Sequence, residues 1–160
     1  MRYFFYGTLL DDAVRGQVLR RQVPRQRMRR AVLSGFRRVY RRDAAYPVLV
    51  ADPAGRVEGL LVIGLNARDG ARLAAYEGPE YALVRRPVKT GDGAVVDARL
   101  FLPRCDGLGT AEVWCYEDWC RRFGDRYRAR VARRRRAPSP HPGFGAGEDE
   151  GEQTKTESAV

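Results

Sequence analysis

Histidine and cysteine are scarce in these 160 residues: one His, His141, and three Cys, at positions 105, 115 and 120. No CxxC pair occurs, so zinc-type ligand spacing is absent and no metal is expected. No Ser-His or Cys-His pairing stands ready for nucleophilic catalysis. An odd, widely spaced cysteine set gives no secreted disulfide framework, and buried free thiols are the expectation. Long apolar runs are missing too, none approaching the ~20 residues that a membrane span needs. The sequence opens on a strand-like run with no basic n-region followed by an apolar h-region, the pattern expected of a soluble, cytoplasmic protein.

Acidic residues are in deficit, 20 against 30 basic ones, for a net charge of +10. The basic excess is concentrated before residue 137, and nearly all of it is Arg. From 137 to 160 the composition turns to Pro, Gly, Ser and Glu with no large aliphatic residue before Val160. Such a segment cannot bury enough apolar area to offset its ordering entropy. We therefore expect one domain over 1–136 and a disordered tail over 137–160. A positive field attracts small anions and nucleic acid alike. No RNP, KH or zinc signature accompanies it, and aromatics do not interleave with the Arg runs, so no specific nucleic acid is expected as a partner.

The pattern of elements predicts an α+β fold, a small mixed, curled β-sheet or barrel with a few flanking helices. Arg2 to Tyr6 reads as a buried strand stopped by Gly7, and Asp11 and Asp12 open a short helix reaching Leu19. Residues 20–30, polar and containing Pro24, read as a loop. Strands are expected over Ala31–Val39, with Gly35 as a bulge, and over Ala45–Val50, then over Val57–Leu65 after a turn at Asp52–Gly55. Asn66 is the expected N-cap of a helix over Ala67–Tyr76, with Leu73 and the alanines inward and Arg68, Asp69 and Arg72 outward. Glu77-Gly78-Pro79 ends that helix. Tyr81–Thr90 and Val95–Leu102 form a hairpin around Asp92-Gly93. Trp119, Phe123, Tyr127 and Val131, four apart, predict one helix from about Ala111 to Arg135. The total is about seven strands and three helices.

Two short segments carry the chemistry. Tyr6-Gly7-Thr8-Leu9 closes the first strand, where Gly7 removes side-chain bulk and lets the N–H groups around Thr8 and Leu9 aim at an anion. Tyr76-Glu77-Gly78 places one carboxylate at a helix C-terminus, where the helix dipole disfavours it, so its position needs another reason. Together they suggest an acyl-transfer site built from one carboxylate and main-chain donors.

With Tyr46-Pro47 before a short strand, Val57-Glu58-Gly59 opening the next, and Leu73-Ala74-Ala75-Tyr76-Glu77-Gly78 followed by Tyr81, these segments resemble the gamma-glutamylcyclotransferase-like superfamily over roughly residues 2–130. The resemblance implies a barrel-like domain over 1–136 that turns gamma-glutamyl compounds into 5-oxoproline and a free amine. It implies Glu77 as the general acid/base, and Tyr6, Gly7, Thr8 and Leu9 as the substrate loop. Tyr81 is added as a wall residue. No cofactor is implied, and the partner is a small gamma-glutamyl molecule. Leu73 and Ala74 stand where the family often has an aspartate, and Leu83 where it often has an arginine, differences that bear on substrate identity. Two other readings are a noncatalytic metabolite binder with the same fold and a basic nucleic-acid-binding protein.

Overall fold

The computed structural model describes residues 1–42 and 44–136. The tail expected to be disordered over 137–160 lies outside the described residues.

Strand β1 (Arg2–Phe5) is buried on both faces. Tyr3 and Phe5 join one apolar core, while Phe4 and the following Tyr6 join another. That double burial needs partners on both edges. β1 lies antiparallel to β3 (Pro47–Ile63), with Arg2 opposite Ile63, and parallel to β5 (Val95–Pro103) at Tyr3 and Arg99. β4 (Tyr81–Thr90) pairs with β5 as the expected hairpin, and Gly93 supplies the positive φ of +89° at its turn. β2 (Met28–Arg41) pairs with β4 and also with β3, closing the order β3-β1-β5-β4-β2 into a five-stranded barrel. Phe4, Leu33, Leu61 and Leu100 fill its interior.

Several expectations are corrected. The strand count is six among the described residues: the two strands expected over 45–50 and 57–65 are one, β3, and an unexpected strand is added at Gly109–Val113. The Asp52–Gly55 turn survives as an excursion within it, where residues 52–55 face Gly35 alone between the pairs Ser34–Arg56 and Phe36–Ala51. The Asp52 carboxylate accepts from the Ala54 N–H at 3.2 Å, a local bond that bends the strand without ending it. β2 starts at Met28, earlier than the expected Ala31, because Met28, Arg29 and Arg30 pair with Val62, Leu61 and Leu60.

The C-terminal helix begins at Tyr116, not Ala111. Residues before it form β6 (Gly109–Val113), which extends the sheet along β2, and the Trp114 N–H donates to the Arg38 carbonyl. The helix then runs as α3 (Tyr116–Trp119), a π-turn over Cys120–Gly124, and α4 (Asp125–Arg136), where α1 and α2 denote Asp12–Leu19 and Ala67–Glu77. Trp119, Tyr127 and Val131 are buried against the barrel's outer core, as their spacing predicts. The cysteines are free but not buried: Cys105 and Cys115 are exposed and Cys120 is half-buried.

Candidate active site

The loop that leaves β1 is a tight 3₁₀ turn, Thr8–Leu10. Its internal bonds run from the Leu10 N–H to the Gly7 carbonyl and from the Asp11 N–H to the Thr8 carbonyl. The N–H groups of Thr8 and Leu9, first in the turn, have no main-chain acceptor among the described residues. Gly7 is needed for space: a Cβ there would lie 2.9 Å from Cγ of Pro47. Its bareness therefore lets the loop pack on Pro47.

Two arginines, Arg15 buried and Arg38 half-buried, fix this loop from behind. Arg38, on β2, donates from Nη1 to the Tyr6 carbonyl at 2.6 Å and stacks 4.7 Å from the Trp114 ring centroid. Arg15, on α1 and 3% exposed, donates to the carbonyls of Leu9 and Leu10. Burial lowers the pKa of both guanidiniums from the ordinary value. At so basic a group they stay charged all the same. Asp11 caps α1 through the Val14 N–H and is bound by Arg128 of α4 at 2.7 Å and by the Tyr116 hydroxyl. Burial alone would raise its pKa, but these bonds and the Arg128 charge outweigh it and hold Asp11 below the usual carboxylate value. The start of α1 is thus satisfied by its own cap and adds little field to the loop.

Glu77 is delivered by α2. Asn66 caps that helix as expected, with a reciprocal box: the Asp69 N–H donates to Asn66 Oδ1, and Asp69 Oδ2 accepts from the Asn66 N–H. The inward face differs from the expected one. Ala67, Ala71, Ala74 and Ala75 are exposed, whereas Asp69 and Leu73 are buried and Tyr76 and Glu77 half-buried. Asp69 is drawn in by the box and by a 2.7 Å ion pair with Arg21. Asp69, Leu73 and Glu77 are four apart, so the helix that buries Leu73 carries Glu77 inward with it. Gly78 ends the helix at φ +86° and ψ 174°, a conformation essentially restricted to glycine.

Tyr6, Gly7, Thr8, Leu9, Glu77 and Tyr81 all line one cleft of about 580 Å³. Burial pushes the Glu77 carboxyl up to about 7, and no neighbouring cation pulls it back. The carboxyl is thereby poised to take or give a proton near neutral pH. The Tyr6 hydroxyl is committed elsewhere, donating to the Phe101 carbonyl at 2.7 Å. The Tyr81 hydroxyl is buried and has no hydrogen-bond partner among the described residues, and neither has Nη1 of Arg41. Burial raises Tyr81 to about 12, and Arg41 restrains the rise from a position near it but outside hydrogen-bond geometry.

Sequence reasoning missed a row of hydroxyls across the cleft. Thr8 Oγ1 and the Tyr76 hydroxyl are 2.7 Å apart, and the Tyr76 and Tyr127 hydroxyls 2.8 Å. From sequence Tyr127 reads only as one of four residues spaced along the last helix and Tyr76 only as the neighbour of Glu77, and both pack on the apolar core. Only the tertiary approach of α2 and α4 brings the polar tips together. Among the described residues no cluster of His, Cys, Asp and Glu could hold a metal ion, and no helix is long and apolar enough to cross a membrane.

A family model described as "Gamma-glutamyl cyclotransferase, AIG2-like" matches residues 3–121. Among curated sequences, Protein AIG2 C of Arabidopsis thaliana is 28% identical over 122 residues, covering 72% of this chain and 70% of its own length. AIG2-like protein A of the same plant is 28% identical over 121 residues, with 74% and 71% covered. Two solution structures of Arabidopsis thaliana proteins share the fold with TM-scores of 0.61. One is 24% identical, covering 86% of this chain and 93% of its own; the other is 21% identical, covering 94% of each.

Proposed function

Because this chain belongs to the AIG2-like gamma-glutamyl cyclotransferase family, we propose that it cyclises a gamma-glutamyl amide to 5-oxoproline and releases the amine. The observation that supports this most is Glu77: a carboxyl with a pKa of about 7 in the same cleft as a loop with two unclaimed N–H donors.

In this mechanism the substrate's own α-amine is the nucleophile and attacks its γ-carbonyl, closing a five-membered ring, so no protein nucleophile is needed. The amine arrives mostly as an ammonium and must first lose a proton. Glu77 takes that proton, and its raised pKa matches it to the task. The N–H groups of Thr8 and Leu9 receive the oxyanion that develops on the γ-carbonyl oxygen, a kind of donor whose removal costs about 3 kcal/mol of barrier. Collapse of the tetrahedral intermediate breaks the C–N bond, and Glu77 returns the proton to the leaving amine. Ring closure is chiefly a matter of orientation, which the loop held by Arg15 and Arg38 provides.

Release of 5-oxoproline from a panel of gamma-glutamyl amides tests this reading. Turnover is expected in the wild type and a loss of at least about a hundredfold in Glu77→Gln, which keeps the shape and removes the proton shuttle. The wild-type kcat/KM should rise with pH through about 7, as Glu77 ionises. Full activity of the Glu77→Gln protein overturns the assignment.

A further inference from the structure

A second cleft, of about 570 Å³, shares no lining residue with the first. Arg38, which holds the Tyr6 carbonyl, and Leu10, the last residue of the 3₁₀ turn, both line it, so it backs onto the Tyr6–Leu9 loop. Its floor is the outer face of the barrel, where Val32 of β2 stands opposite Lys89 of β4 on one side and opposite Glu58 of β3 on the other. Residues opposite each other across paired strands share a face, so a cation and a carboxylate flank one apolar residue there. Arg30, two positions before Val32, joins the same face. Tyr116 and Glu117, at the start of α3, line the cleft as well.

The charges around this cleft lack partners. Arg30, Arg38, Lys89, Glu58 and Glu117 take part in no ion pair among the described residues. Arg38 weighs most. It is half-buried, its hydrogen bonds go to the carbonyls of Tyr6, Glu58 and Trp114, and its Nη2 makes none among the described residues. Arg15, which anchors the same loop, has Asp12 as its counter-ion. A desolvated charge is ordinarily paired, so Arg38 is short of an anion. A polyanion would be repelled by the carboxylates of Glu58 and Glu117. A molecule carrying one carboxylate and one ammonium meets charges of both signs, and Leu10, Val32 and Leu60 offer an apolar wall to its side chain.

We infer that this second cleft binds a free α-amino acid with an apolar side chain, its carboxylate received by Arg38 with Arg30 and Lys89 and its ammonium by Glu58 and Glu117. The inference goes beyond the cyclotransferase reading and stands without it. Because Arg38 also anchors the Tyr6 carbonyl, occupancy of the second cleft is coupled to the loop that lines the first.

The test follows the backbone N–H signals of the full chain by heteronuclear NMR while L-leucine, isocaproate or isoamylamine is added. Isocaproate is leucine without its ammonium, and isoamylamine is leucine without its carboxylate. Leucine should move the signals of Val32, Lys89 and Gly91 and leave those of Gly78 and Tyr81 in place, with a Kd at least about tenfold below that of either analogue. In Arg30→Gln/Lys89→Gln, and separately in Glu58→Gln/Glu117→Gln, the Kd for leucine should rise at least about tenfold, and raised salt should weaken binding to the wild type. Shifts confined to the first cleft, no shifts with leucine, isocaproate bound as tightly as leucine, or a Kd unchanged in both variants each overturn the inference. Release of 5-oxoproline is read separately, so the cyclotransferase reading stands or falls on its own.

Discussion

Glu77 illustrates how one residue sets stability against chemistry. A carboxyl whose pKa is higher in the folded protein holds its proton more tightly there than in the unfolded chain. Its stabilising contribution is therefore complete below the ordinary value of 4.5 and is lost as pH rises through about 7. The loss is on the order of 3 kcal/mol across that window. Asp11 and Asp69, whose pKa values are lowered, act with the opposite sign and only at more acid pH. Urea unfolding of the wild type and Glu77→Gln should give similar stabilities near pH 5 and a more stable variant near pH 8. A variant that is no more stable at pH 8 means that the carboxyl is not desolvated. The same residue shows what the sequence revealed. Its place beside Gly78 and its poor fit to a helix dipole marked it as unusual, whereas the i, i+4 step from Leu73 that carries it inward emerged only with the structure. The inward turn of Asp69 was hidden, because its partner Arg21 lies 48 positions away.

At the scale of elements, local signals were legible and long-range ones were not. The Asn66 cap, the Gly93 hairpin and the strand-to-loop break at Gly7 are decided within a few residues. β6 and the late start of the last helix are decided by pairing with β2, more than sixty residues upstream. The arginines behind the Tyr6–Leu9 loop were hidden for a related reason. In an Arg-rich chain nothing local separates Arg38, bonded to the carbonyls of Tyr6 and Trp114, from its neighbour Arg37. Arg38→Met keeps the apolar stem and removes the donor, so the Tyr6 carbonyl loses its anchor and the following N–H groups lose their aim. Turnover should fall at least about tenfold, chiefly in kcat, with the near-UV circular dichroism retained. Unchanged kinetics would show that the loop needs no such anchor.

The whole molecule is a ring of strands in which closure depends on bare backbone at close approaches. Gly59, on β3, faces the Phe5 carbonyl: a Cβ there would lie 2.4 Å from that oxygen and 2.5 Å from the Phe4 ring. The contact sits at the end of β1, one residue before Tyr6, so widening it displaces the strand that carries the Tyr6–Leu9 loop. Gly59→Ala should cost about 3 kcal/mol of stability in thermal or urea unfolding, with function lost in step. A soluble Gly59→Ala protein of wild-type stability would show that the barrel yields there. The Val57-Glu58-Gly59 motif was legible in the sequence only as a likeness; the structure supplies its steric reason.

The row Thr8–Tyr76–Tyr127 has a property that no single bond in it possesses. Each hydroxyl owns one proton, and at each link either oxygen is able to donate. The row therefore has two concerted polarities, with its protons aligned toward the loop or toward α4. Tyr76, between two neighbours, cannot donate to both, so orienting either link constrains the other. Whatever fixes the hydroxyl of Thr8 at one end dictates which way Tyr127 points at the other, and two elements that lie far apart in the chain share a single binary state.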